Sequence, residues 1–456
     1  LTSIPDQLVD ERTSLVRDPS ISPNGQQEIE LTSARTTIRF RAIAWLTTAA
    51  ALAYLCRNAI GVMESAIREE LGLTLEQSGW FMGAFFWTYA VFQVPSGWFA
   101  ERKGSRIALS IFALGWSLAM LEMGLASVFW LLIIAQLVMG VAQAGLLPAT
   151  VNSIGHWMPV AQRSVACGIL GAGMQIGAVA ASALAGAMMD PYGWRLIVVV
   201  FALPGILWTI GFFVRFRNDP AEVLSPDSSE LAMIRSGRSN NSSSLPNDSN
   251  EFSELVSIVL DPTMWWLCGQ QICRAAGYMF FASWFPTFLQ VTRGVSVENS
   301  GYLQGVILGG TLLGGISGGL VTDYVWRRTG SFRASRSGVG AASLAACSIV
   351  ILGAWFANST EIAMLLLTLG AFCAACAGPC AFTATIDIGG PRVPQVAGIM
   401  NMCGNLAAAA CPVIVGMLFQ MTENWNLILL LFAGVFLAGS VCWLFVNPQT
   451  HVRQRI

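Results

Sequence analysis

The 456-residue chain is 54% hydrophobic and only 11% charged. Soluble globular proteins carry roughly a quarter charged residues, so this much apolar surface excludes a water-soluble fold and requires a chain that crosses the bilayer repeatedly. A net charge of −1 offers nothing to attract nucleic acid.

The first 38 residues are polar, and no short apolar stretch precedes a small-residue cleavage site, so a tail without a cleavable signal is expected at 1–38. Apolar segments of about 20 residues then recur. They fall at 42–65, 78–100, 107–126, 129–153, 164–188, 193–214, 263–290, 301–323, 337–357, 361–385, 395–419 and 426–447, twelve in all. After the sixth comes RNDPAEVLSPDSSELAMIRSGRSNNSSSLPNDSNE, rich in Ser, Asn and Asp. It reads as a flexible linker, 218–255, between six-helix bundles at 39–217 and 256–447. A short interfacial helix is expected at FSELVSIVL (252–260), and a second tail at 448–456.

Twelve spans put both termini on one side. That side carries 20 of the 25 Lys and Arg, the other only Arg68, Arg195 and Arg293, and Arg57 and Arg274 lie inside spans. Positive residues stay in the cytoplasm, so both termini are predicted to be cytoplasmic, in a plasma (inner) membrane. Asn358-Ser-Thr, on an outer loop, fits the glycosylation acceptor pattern. The cysteines of CAACAGPC (Cys373, Cys376, Cys380) have no nearby histidine to complete a metal site and read as small residues for helix packing.

The two halves share features. GWFAERKGSR after span 2 carries Gly97, Glu101, Arg102 and Arg106, and GLVTDYVWRR after span 8 carries Gly319, Asp323, Arg327 and Arg328. Arg57 precedes Glu101 by 44 residues and Arg274 precedes Asp323 by 49. Such repetition marks a transporter built from two halves with the substrate between them at the midplane. Glycine permits close helix approach, and the acid and basic residues suit a charge latch that is made and broken as the halves rock.

On these features the sequence resembles the major facilitator superfamily, whose signature between spans 2 and 3 matches GWFAERKGSR with Glu101 where aspartate is usual. It is most similar to the anion:cation symporter branch, which holds hexuronate, galactonate and aldarate transporters and the vesicular glutamate and sialic-acid transporters. YLCRNAIGV, AFFWTYAVFQVPSGWFAERKGSR, HWMPVAQRSVACG, YGWRLIVVVFALPG, WFPTFL and GIMNMCGNLAAAACPVIVG carry that resemblance across roughly residues 40–447. It implies an all-α polytopic membrane protein, with twelve transmembrane helices in two pseudo-symmetric six-helix bundles.

Arg57 shares a helix face with Tyr54, Gly61 and Glu64, and Arg274 one with Gln270, Gln271, Gly277 and Tyr278. Pseudo-symmetry sets these first helices across a central cavity from one another. Two guanidiniums there invite anions, and each offers a planar fork matched to a carboxylate. The alternative is structural pairing, of Arg57 with Glu64 or of Arg274 with a helix end. The resemblance adds that Arg57 matches a carboxylate-binding position of the family and Arg274 a seventh-span arginine of its vesicular glutamate members. Tyr89, Gln93, Gln136, Gln143, Gln175, Asn401 and Asn405 are neutral hydrogen-bonders placed to line the cavity or to join helices.

One departure bears on coupling. Proton-coupled sugar-acid members carry an arginine and a glutamate where this chain has Gln136 and Gln143, and often an aspartate where it has Cys56. Glutamine does not titrate. Coupling through Glu64, coupling through Na⁺ and no coupling at all stay open. The expected partners are a small organic anion, a coupling ion (H⁺ or Na⁺) and the lipid bilayer, with no nucleic acid, no cofactor and no metal, and the expected state is a monomer. No P-loop, nucleophile elbow or His/Cys/Asp cluster suggests ATP hydrolysis or enzymatic chemistry. The leading expectation is a carrier of organic anions such as sugar acids. The alternatives are a transport-incompetent sensor on the same fold, or an exporter of another substrate class.

Overall fold

The computed structural model describes residues 38–225, 228–235, 251–281, 285–295, 297–357 and 359–449. The tail up to residue 37, the middle of the linker (236–250), Asn358 and residues 450–456 lie outside them. The described chain is helical. Ile38–Glu70 is span 1, Leu75–Leu125 carries spans 2 and 3, Phe129–Ala144 with Leu146–Trp157 forms span 4, and Arg163–Arg215 carries spans 5 and 6. Pro262–Met279 and Phe285–Arg293 lie in span 7, and Val297–Thr329 is span 8. Val339–Trp355, Thr360–Gly389, Val393–Thr422 and Trp425–Phe445 are spans 9 to 12.

Among the described residues, eight helical stretches are long and apolar enough to cross a membrane, and three of these run for 50, 56 and 60 residues. A 50-residue helix is about 75 Å long against a hydrocarbon core of about 30 Å, so each long stretch makes two crossings. Gly104 (φ 77°, ψ 153°) breaks the first and Gly193 (φ 70°, ψ 165°) the second, at backbone angles that only glycine adopts without strain. The third turns at the Gly390–Arg392 3₁₀ turn between spans 10 and 11. These stretches hold eleven crossings. Pro262–Met279, made more polar by Gln270, Gln271 and Arg274, belongs to the twelfth.

The spans pack into two apolar cores. One is built from spans 1–6 around Leu46, Phe81, Trp116, Trp194 and Phe212. The other is built from spans 7–12 around Phe280, Phe285, Phe432, Phe436 and Trp443. Lipid is as apolar as leucine, so helices associate through close fit and small residues. The seams between the halves follow that rule. A Cβ on Gly168 (span 5) would lie 2.6 Å from the Gly315 carbonyl oxygen (span 8), and one on Gly97 (span 2) 2.6 Å from the Pro394 carbonyl (span 11). Spans 5 and 8 thus meet as spans 2 and 11 do, which is the pseudo-symmetry of the two halves.

The linker is not wholly irregular. Ser229–Arg235 is a short helix whose Glu230 pairs with Arg39 at 3.3 Å, while Leu231 and Ile234 pack with Leu224 and Ile38. Glu251–Leu260 is helical, as FSELVSIVL suggested, and Asp261 caps the next helix by accepting the Thr263 N–H at 2.7 Å.

Candidate substrate site and its gate

Arg57 projects from span 1 into a ring of aromatic faces. Its guanidinium carbon lies 4.7 Å from the Phe85 ring centre, 4.8 Å from Phe86, 5.1 Å from Tyr89 and 5.5 Å from Tyr54. Each such contact is worth about 0.5–1 kcal/mol where water reaches it. The rings hold the cation without neutralising it. Arg274, on span 7, donates Nε at 3.2 Å and Nη2 at 3.0 Å to Oε1 of Gln271, a neutral acceptor. Both arginines are half-buried. Among the described residues no carboxylate lies within ion-pair distance of either.

The phenols join the two sides. Tyr278 stands within electrostatic reach of Tyr54, Arg57 and Arg274, and Tyr54 within reach of Arg274. Gln175 of span 5 donates to the Tyr278 hydroxyl at 3.2 Å, and Asn401 of span 11 to the Tyr89 hydroxyl at 3.4 Å, both across the halves. Asn405 donates to the Asn401 carbonyl at 2.8 Å.

The glutamines differ. Gln143 is buried and donates to the Ala53 carbonyl at 3.0 Å, so it braces spans 4 and 1. Gln93 is fully buried in the seam, and neither end of its amide has a protein partner. Gln136 is buried with its Oε1 unpartnered. Glu64 is engaged by residues other than Arg57. It pairs with Arg68 at 2.9 Å and accepts a hydrogen bond from Ser78.

At the end of the bundle bearing the 101–106 and 327–336 turns, the halves are tied by buried charge. Asp323 accepts the N–H groups of Ser164 (3.2 Å) and Val165 (2.9 Å) at the start of span 5 and lies 3.7 Å from Nη1 of Arg336. Arg336, wholly buried, donates Nε to Asp387 at 3.0 Å and Nη2 to the Val160 carbonyl at 3.4 Å. The other oxygen of Asp387 accepts Nη1 of Arg163 at 2.9 Å. Across the second seam Glu101 accepts Nη1 of Arg392 at 2.7 Å.

Of the residues expected to form the latch, Glu101 and Asp323 bridge the halves and Gly97 packs in the seam. The basic residues near them make further contacts, and Arg102 also stands within electrostatic reach of Glu101. Arg102 lies over the Trp98 ring at 4.1 Å, Arg106 donates to the Phe213 carbonyl at 2.7 Å within its own half, and Arg327 donates to the Asp323 carbonyl one turn back at 3.3 Å. The cations that tie the halves together at this end are Arg163, Arg336 and Arg392, which the sequence had offered only as loop charges. Their signal was position, each standing at or near the start of an apolar span.

Two helical bundles meeting over a polar midplane, with a charged seal at one end, define a membrane carrier. Residues 46–357 and 336–455 match the Major Facilitator Superfamily, and the chain belongs to that family. It is 26% identical over 401 residues to a probable sulfoacetate transporter of Cupriavidus necator, covering 88% of this chain and 92% of that one. It is 26% identical to a probable L-galactonate transporter of Escherichia coli, covering 97% of each. The hexuronate transporter of Bacillus subtilis is 26% identical, with 89% and 94% covered. Among solved structures, the proton:xylose symporter XylE superposes with a TM-score of 0.70 at 12% identity, covering 91% of this chain and 98% of the other. The protein is therefore a multi-pass transporter of the membrane and not an enzyme, and its relatives agree with the resemblance to the anion-transporting branch.

Proposed function

We propose that the protein carries small organic anions, such as sugar acids or other carboxylates, across the membrane by alternating access, with the substrate carboxylate held by Arg57 and Arg274. The observation that carries this reading is a pair of half-buried guanidiniums, one from each bundle, set among phenols and, among the described residues, without an acid to neutralise them. A guanidinium fork matches a carboxylate bidentately, and Tyr54, Tyr89, Tyr278, Asn401 and Asn405 offer hydrogen bonds to substrate hydroxyls. The names of the relatives, which are sulfoacetate, galactonate and hexuronate transporters, support an anionic substrate. The 20-to-3 distribution of Lys and Arg favours cytoplasmic termini in the inner membrane. The gate of Asp323, Arg336, Asp387 and Glu101 then seals the cytoplasmic end. The moving units are bundles 39–217 and 256–447, joined by the linker 218–255.

A ligand that binds only the folded state raises apparent stability. Galactonate, glucarate and sulfoacetate are expected to raise the Tm of the purified protein, whereas fucose and choline leave it unchanged. Arg57→Ala should weaken the binding at least tenfold, since stripping one partner from a desolvated charge pair costs about 2–5 kcal/mol. Arg57→Lys should restore only part, for want of the fork. Unaltered anion binding in Arg57→Ala, or stabilisation by choline instead, would refute the reading.

A further inference from the structure

We infer that the carrier is an exchanger, in which one anion enters only as another leaves and no proton gradient drives the movement. The inference rests on the reading of the cavity as an anion site and adds how its turnover is driven.

It starts from what the spans contain. Within the apolar segments the acids are Glu64 near the end of span 1, Glu122 four residues from the end of span 3, Asp323 at the end of span 8 and Glu361 at the start of span 10, with Asp387 two residues past its end. Glu64 is held by Arg68 and Ser78, and Asp323 and Asp387 are held in the gate. The apolar segments 78–100, 129–153, 164–188, 193–214, 263–290, 337–357, 395–419 and 426–447 contain no Asp, Glu or His, and Glu76, Glu101, His156 and Asp190 stand on the helices beyond the ends of those segments. Among the described residues no carboxylate pairs with Arg57 or Arg274, and the apolar segments of spans 2, 5, 7 and 11, which supply neighbours of the two arginines, carry none.

To pass from one open state to the other, the carrier must close around its cavity and strip the water from both guanidiniums. An arginine does not shed its proton to escape that cost. The rings around Arg57 offset part of it, but Arg274 has, among the described residues, the amide oxygen of Gln271 and one ring face, Phe382 at 5.9 Å, and like charges in one cavity repel. A bound carboxylate removes both penalties. In a carrier with a carboxylate in the cavity, that group can take the substrate's place beside the arginines on the empty return. Here nothing does, so the loaded form crosses and the empty form stays where it is. One-for-one exchange of anions of equal charge moves no net charge.

Gln143 supplies the converse test. Its Nε2 donates to the Ala53 carbonyl at 3.0 Å, one helical turn before Arg57. A glutamate there would place a carboxylate against the turn of span 1 that precedes Arg57, and when ionised it would give the empty carrier the anion it lacks.

The full chain is reconstituted in liposomes, with radiolabelled galactonate outside and either unlabelled galactonate or buffer alone inside. Uptake should be at least about tenfold faster with internal galactonate, the differential that follows when only the loaded form crosses, and should not respond to an inward proton or Na⁺ gradient. Gln143→Glu should raise uptake into buffer-filled vesicles several-fold and make it respond to an inward proton gradient. Wild-type uptake into buffer-filled vesicles that matches exchange, or that rises with a proton or Na⁺ gradient, overturns the proposal. A Tm raised by galactonate without accelerated exchange overturns it and leaves the anion site standing. No Tm response to galactonate, glucarate or sulfoacetate overturns both.

Discussion

Asp387 joins the two halves at the proposed gate, and Asp387→Asn should loosen it. One carboxylate oxygen accepts Arg163 from the first half and the other accepts Arg336 from the second. The substitution keeps the shape and removes the charge, so two buried guanidiniums lose their shared partner. Breaking a buried pair costs about 3–5 kcal/mol. The lower end applies here, because Asp323 remains 3.7 Å from Arg336 and Arg163 keeps the Gly155 carbonyl. In the state open at this end both arginines reach water, so the loss falls on the closed state. At about 1.4 kcal/mol per tenfold, 3 kcal/mol shifts the balance about a hundredfold toward opening. Cys167 reports it. The thiol is 1% exposed and lies within electrostatic reach of Asp323, Arg336 and Asp387. Modification of a transiently opened site tracks the open population, so maleimide labelling of Cys167, resolved by peptide mass, should quicken by one to two orders of magnitude. Cys442, on span 12 beside Gly269, is the reference and should not change. The cost of closing the cavity is common to variant and wild type and cancels in the ratio. Unchanged Cys167 labelling in a folded variant would refute the reasoning.

Gly168→Val should push spans 5 and 8 apart, since its side chain would meet the Gly315 carbonyl at 2.6 Å or less. Transport should fall at least tenfold while Cys380 labelling rises, because a seam of backbone contacts has no side chain to yield. Glu64→Gln should leave the pH profile of transport unchanged and lower stability by only about 0.3–0.5 kcal/mol, the worth of an i,i+4 pair. A displaced pH profile would return Glu64 to the coupling path.

The twelve crossings and their pairing into halves were legible because hydropathy runs and arginine placement are local properties of the chain. Glu101, Asp323, Arg57 and Arg274 could be picked out because a charge within or beside an apolar run is conspicuous. What the sequence hid was partnership. Glu64 lies on the Arg57 face of span 1, yet it pairs with Arg68 one turn on and with Ser78 across the turn. Helical spacing gives the face and not the rotamer. Arg327 stands next to the Asp323 loop, yet the partner of Asp323 is Arg336, which begins a different span. Partners across a seam are fixed by how the halves meet, and nothing in the order of residues states that. The kinks at Gly104 and Gly193 could not be told from ordinary loops, since the same glycine serves both.

The helices that touch the candidate site are also the helices that carry the gate. Span 5 reaches Tyr278 through Gln175, and twelve residues earlier, about 18 Å along the axis, it offers Arg163 and the N–H groups of Ser164 and Val165 to Asp387 and Asp323. Span 11 reaches Tyr89 through Asn401, and just ahead of its first residue Arg392 holds Glu101. Both spans press backbone to backbone on the opposite half through Gly168 and Gly398. No relay of small shifts is then required between site and gate. In the proposed cycle, an anion that draws Arg57 and Arg274 together would rotate one bundle against the other as a rigid body, and the same rotation would lift Asp323 off the start of span 5 and Glu101 off the start of span 11. Within this geometry, the affinity of the cavity for an anion and the strength of the charged seal are two terms in one equilibrium.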